Sequence, residues 1–173
     1  MLAASMLPNL DFESKDPGEG WKLRENWSLA AGVGRNGSTA LVWENHDPAK
    51  YTFPVRSFEI DQGGANYRFG GWVKVVEGED LKPVIAIDWS DANGKWCGSR
   101  GAIAVVDNDP NKAGWTRYEL VSGILPTNAV HGNLLCYLPR KSTGKVLFDD
   151  FKLERVAIDP VECLACSAYK ATF

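Results

Sequence analysis

Apolar and polar residues alternate along most of this chain with a period of two, interrupted every few residues by Gly, Pro, Asn or Asp. Segment 67–76, YRFGGWVKVV, shows the pattern. Tyr67, Phe69, Gly71, Val73 and Val75 fall on one face, and Arg68, Gly70, Trp72 and Lys74 on the other, because successive side chains of an extended strand point to opposite sides. Gly70 and Gly71 weaken such a strand unless it bends or another group approaches its backbone. The same alternation predicts strands over 8–13, 27–31, 38–44, 51–53, 56–60, 84–89, 102–105, 116–121, 134–138 and 146–155. These segments are rich in β-branched and aromatic residues, with turn signals such as Gly63-Gly64 and Asn93-Gly94 between them. No window carries apolar residues at helical spacing over three turns. The pattern predicts an all-β fold, a two-sheet antiparallel β-sandwich.

The period also assigns faces. Ile85, Ile87 and Trp89 share the core side of their strand, with Ala86 and Asp88 opposite. Leu134, Cys136 and Leu138 point inward, while Asn133, Leu135 and Tyr137 point outward. Segment 145–154, KVLFDDFKLE, is the exception that needs a reason, because Asp is disfavoured inside strands. Strict alternation puts Leu147, Asp149, Phe151 and Leu153 on the core face, and Phe148, Asp150 and Lys152 on the other. Asp149 is then on the buried side, where a carboxylate needs a cation or several donors. Asp149 and Asp150 point to opposite faces, so they do not flank one scissile bond as a glycosidase pair does.

Composition narrows the classes. With 173 residues and a formal net charge of -3, the chain holds one domain, and it lacks the basic stripe of a nucleic-acid binder. No apolar run approaches the length of a membrane span. Residues 1–6 are expected to be an expression scar or linker, 7–156 the sandwich, and 157–173 a tail or a linker to a further domain. The four Cys include a single CxxC, Cys163 and Cys166, without the second ligand pair that a zinc site needs. No nucleophile elbow, metal-binding His pair or phosphate loop is present, so no enzyme is expected. Seven Trp, seven Phe and five Tyr exceed what this core requires, and aromatic rings also serve as flat platforms for ligands.

Several short elements, in order, carry a resemblance over about 7–155. They are Asn9-Leu10-Asp11-Phe12-Glu13 followed by Gly20-Trp21, then Gly37-Ser38-Thr39-Ala40-Leu41, and Asn66-Tyr67-Arg68-Phe69-Gly70-Gly71-Trp72. Asp88-Trp89-Ser90-Asp91-Ala92-Asn93-Gly94, Gly114-Trp115, and Val146-Leu147-Phe148-Asp149-Asp150-Phe151 follow. The series resembles a jelly-roll carbohydrate-binding module of the xylan- and β-glucan-binding type. That resemblance implies about ten strands and a structural Ca²⁺ tying the first strand to the last. Its ligands would be Glu13, backbone carbonyls of 36–38 and Asp149, with Asp11 a further candidate; oxygen donors of this kind suit Ca²⁺. The alternative for Asp149 is satisfaction by backbone donors or Arg without metal.

The resemblance also implies sugar binding by aromatic stacking on a concave sheet. A pyranose presents an apolar face to a ring and a hydroxyl rim to polar side chains. The candidates are Arg68, Trp72, Asp88 and Tyr137, with Trp43 and Trp96 from neighbouring loops, and Arg68, Trp72 and Tyr137 are expected to share one working surface. The implied role is a secreted or cell-surface, monomeric, non-catalytic module. It would bind a polysaccharide or oligosaccharide and target a catalytic domain of the same longer chain. The alternative is a structural or protein-interaction β-sandwich of a multidomain surface protein.

Overall fold

The computed structural model describes residues 5–60, 65–102 and 114–156. Among these residues ten strands form two five-stranded antiparallel sheets. One sheet is ordered β1 (Trp21–Lys22), β4 (Val55–Glu59), β9 (His131–Tyr137), β6 (Val84–Ser90) and β7 (Trp96–Ala102). The other is ordered β2 (Trp27–Ala30), β3 (Ala40–Asn45), β10 (Gly144–Val156), β5 (Asn66–Glu77) and β8 (Thr116–Val121). Successive strands repeatedly cross from one sheet to the other, so the chain winds around one core. The expected all-β, two-sheet sandwich is the observed fold.

The core holds the inward residues of both sheets. Tyr67, Phe69, Ile85, Ile87, Leu134, Phe148 and Leu153 are fully enclosed, and Trp89 and Cys136 join them as the alternation predicts. Phe69, Phe148 and Phe151 form a chain of ring contacts with centroids 5.2 and 6.2 Å apart. The two glycines of β5 have a physical reason: a Cβ on Gly71 would stand 2.1 Å from Cδ1 of Phe151, and one on Gly70 2.9 Å from the Tyr118 carbonyl oxygen. Phe151 therefore packs directly on the β5 backbone.

Three expected strands differ. Segment 8–13 forms turns instead, with positive φ at Asn9 (58°) and Phe12 (63°). Asn9 holds this turn by donating through Nδ2 to the carbonyls of Asp16 and Pro17 and accepting from the Ser14 N–H. Its apolar residues still serve the core, since Leu10 and Phe12 are buried. Segment 51–53 is an extended approach to β4 with no ladder of its own. Of 102–105 only Ala102, the last residue of β7, lies within the described residues. The expected tail and the Cys163/Cys166 pair also fall outside them.

Strict alternation fails in β10 at Asp150. Val146 and Phe148 point inward; then Asp150 takes φ 49°, the register with β5 shifts between Asp149 and Lys152, and Phe151 and Leu153 turn inward. One inserted residue thus changes the phase, as a β-bulge does. Leu147 lies on the outer face with Ala40, Val42 and Trp115. Asp149 follows it there, paired with Trp72, so the inward placement drawn from strict alternation is corrected. It is fully buried all the same, because a 3₁₀ turn, Arg35–Gly37, folds over it.

Candidate functional site

The outer face of the sheet β1-β4-β9-β6-β7 carries two parallel strips, set by strand register. In one strip Val55 lies opposite Leu135, and Leu135 opposite Ala86. Val84 and Tyr137 extend this apolar strip. In the other, Ser57 lies opposite Asn133, Asn133 opposite Asp88, and Asp88 opposite Ser99. The polar strip is internally ordered: Ser57 Oγ donates to Asn133 Oδ1 at 2.7 Å, and Asn133 Nδ2 donates to Ser90 Oγ at 3.3 Å. Trp96, 62% exposed, stands at the β7 edge, and Phe53, 37% exposed, at the β4 side. Together they bound a groove of about 270 Å³.

This arrangement suits a ligand that is apolar on its faces and polar at its rim. The side chains on the floor are pre-positioned by the sheet, so little ordering entropy is lost on binding. A larger concavity of about 570 Å³ at one end of the sandwich is walled by charged loop residues such as Glu79, Asp80 and Lys141, and among the described residues no Trp, Tyr or Phe lines it. It offers no stacking surface.

Burial pushes the Asp88 carboxyl above its usual range, and a hydrogen bond from the Trp96 side chain pulls it partly back. Burial likewise raises the Tyr137 phenol, with the Tyr51 and Asp88 charges adding to it. A raised carboxyl pKa means that Asp88 favours folding while protonated. Its contribution is present below the unfolded value of about 3.9 and is lost as pH rises through the folded pKa. Asp88→Asn is therefore expected to raise the melting temperature at pH 7, with the gap to wild type narrowing below about pH 4. Melting curves across pH check this, and a gap independent of pH would contradict it.

The structure places the residues singled out in the sequence on several surfaces. Asp88, Tyr137 and Trp96 share the groove face, and Trp96 begins β7 rather than standing on a loop. Trp43 does not reach it: at 4% exposure it is part of the core, in phase with Leu41. Arg68 and Trp72 lie on the outer face of the opposite sheet, so the single surface expected for Arg68, Trp72 and Tyr137 is corrected by the topology. There Arg68 is paired with Glu119 and Glu154, each at 3.6 Å. Trp72 packs beside Trp115 and Leu147, with the Arg35 guanidinium 3.9 Å above its ring. Phe53, Lys22 and Arg24 line the groove and were not foreseen. Only the β1–β4 pairing brings the two cations there, and no local pattern announces it.

Of the expected metal ligands, Glu13 and Asp149 both bond the loop 34–39. Asp149 Oδ2 accepts from the Arg35 N–H and the Ser38 hydroxyl, both at 2.7 Å, and Oδ1 accepts from the Asp150 N–H at 2.7 Å. Glu13 Oε1 accepts from the Thr39 N–H at 2.6 Å, and Asp11 Oδ1 from the Glu13 N–H at 3.4 Å. Glu13 and Asp149 thus grip neighbouring residues of one loop. Arg35 pairs with Asp150. Gly34 is obligatory here, since a Cβ would lie 2.5 Å from Asp149 Oδ2. Among the described residues no three His, Cys, Asp or Glu side chains gather as a metal set.

No protein-family model matches the chain, and no curated protein does. Solved structures do match it. The CBM22-1-GH10 modules of Clostridium thermocellum endo-1,4-β-D-xylanase 10B, complexed with xylohexaose, are similar over 89% of this chain, at 20% identity and a TM-score of 0.59. A xylan-binding domain from CBM 22 is similar over 91% of this chain and 100% of its own, at 16% identity and a TM-score of 0.60. The chain has the fold of these carbohydrate-binding modules. The enzymatically active domain of bacteriophage CBA120 tailspike protein 4 is similar over 88% of this chain, at 15% identity and a TM-score of 0.63. This chain spans 28% of the xylanase chain and 21% of the tailspike chain. A fold shared with both a binding module and a catalytic protein leaves the function to be argued from the site.

Proposed function

We propose that this chain is a non-catalytic carbohydrate-binding module, exported to the cell surface or beyond, that carries a polysaccharide-active protein to its substrate. The observation that carries this reading is the groove, where an exposed indole, Trp96, and the Asp88 carboxyl line the same wall beside a polar strip of Ser57, Asn133 and Ser90. Trp96 covers the C–H face of a sugar ring while Asp88, Asn133 and the two serines take its hydroxyls. Xylan-type chains are the first class to test. The experiment is affinity electrophoresis against xylan, mixed-linkage glucan, mannan and cellulose. Retardation on at least one is expected, and retardation on none would leave the structural-sandwich reading in its place.

Ca²⁺ is part of the same proposal. The donors around residues 34–39 are carboxylate, carbonyl and hydroxyl oxygens, which fits a hard cation. Glu13, Asp149 and the carbonyls of 36–38 would hold it, with Asp11 nearby. It would supply a tie between the N-terminal segment and β10. Protein donors already occupy both oxygens of Asp149, so the ion would add to an existing clasp. A ligand at one hundred times its Kd adds about 2.7 kcal/mol, so EDTA is expected to lower the melting temperature of a calcium-loaded sample by several degrees. An unchanged melting temperature would show that the protein donors suffice alone.

A further inference from the structure

We infer that the polysaccharide taken by this groove is acidic, and that Lys22 and Arg24 hold its anionic groups. The inference rests on the carbohydrate-binding reading of the same face and specifies the ligand class. Trp21 is buried, so alternation turns Lys22 outward, and Arg24 follows two residues later; both are exposed and line the groove. Neither side chain has an ion-pair or hydrogen-bond partner among the described residues, whereas nearby Lys50 is paired with Glu25 and Arg140 lies 4.5 Å over the Tyr51 ring. Asp88, the carboxylate of the groove, does not neutralise the two cations. It is on β6, three strand spacings from β1, which is about 14 Å. Neither cation is among the groups that shift the Asp88 carboxyl.

Lys22 and Arg24 are like charges two residues apart in a chain of net charge -3, and among the described residues no ion pair compensates either. A neutral sugar rim can accept hydrogen bonds from them but leaves their charge uncompensated. A carboxylate or sulfate uses them fully: the Arg fork binds such a group in two parallel hydrogen bonds, and Lys adds a point charge. The geometry divides the work. Trp96 stacks a ring at the β7 edge, and the cations read an anionic substituent at the β1 edge, four strand spacings or about 19 Å away.

The test compares glucuronoxylan before and after reduction of its carboxyl groups, unsubstituted xylan, polygalacturonate and a sulfated galactan, by affinity electrophoresis and calorimetry at two salt concentrations. Binding of an anionic polymer about tenfold tighter than its neutral counterpart is expected, weakening with salt. The Lys22→Gln/Arg24→Gln double variant is expected to lose that advantage and keep binding to the neutral form. Lys82→Gln, outside the groove, is expected to change nothing. Preference for the carboxylated polymers identifies a uronate, and preference for the galactan alone identifies a sulfate ester. Equal affinity for native and reduced glucuronoxylan, with no preference for the galactan, overturns the inference and leaves the binding module standing. Retention on no polymer overturns both.

Discussion

Trp96→Ala is expected to weaken glycan binding about thirtyfold, the cost of losing a central aromatic anchor worth about 2 kcal/mol, without lowering the melting temperature. The two effects separate because Trp96 is 62% exposed and stands on an edge strand. Its ring contributes little to the core, and substitutions at exposed positions stay within about 0.5 kcal/mol. The loss has two sources: the stacking platform disappears, and the Asp88 carboxyl loses the neighbour that partly offsets its burial. Trp43→Ala is the counter-case. Buried to 4% exposure, it is expected to cost about 3–5 kcal/mol of stability. Calorimetric titration with the glycan retained in electrophoresis, together with melting curves, reads both. Unchanged affinity in Trp96→Ala would remove the groove as the binding site.

The contrast between these two tryptophans shows how far the sequence carries. Period-two alternation suffices where a strand is apolar on one side only. It put Ile85, Ile87 and Trp89 inward, and Asp88 outward, and it set Asn133 and Tyr137 opposite Leu134 and Cys136. It is silent where both sides are apolar. In β3 Leu41 and Trp43 enter the core, while Ala40 and Val42 are covered from outside by Trp115, and nothing local distinguishes the two. Alternation also says that Arg68 and Trp72 point outward without saying from which sheet. That depends on β5 pairing with β10 and β8 rather than with β9, a long-range choice. Lys22 and Arg24 enter the groove for the same kind of reason.

Asp149→Ala is expected to be the most damaging change at a polar position, costing about 2–5 kcal/mol. The bulge at Asp150 aims the Asp149 carboxylate at the 3₁₀ turn, where it receives the Arg35 N–H, the Ser38 hydroxyl and the Asp150 N–H. Removing it strands the buried Arg35 N–H and takes the acceptor from the half-buried Asp150 N–H, each worth about 1–3 kcal/mol when left unpaired, while the Ser38 hydroxyl keeps the Arg35 carbonyl. It also frees the turn that covers β10. Arg35→Ala is expected to cost less, about 1–2 kcal/mol. Its guanidinium loses Trp72 and Asp150, but Asp150 is 40% exposed and can turn to water, and the Arg35 Nε has no partner to lose. Urea denaturation of both variants, without added Ca²⁺, reads the order. Should Arg35→Ala prove the costlier, the cation stacked on Trp72 would be the clasp, with Asp149 secondary to it. If Asp149→Ala leads, the two adjacent carboxylates divide their roles as the bulge does: Asp149 ties the covering loop to the last strand, and Asp150 holds the arginine that shields it.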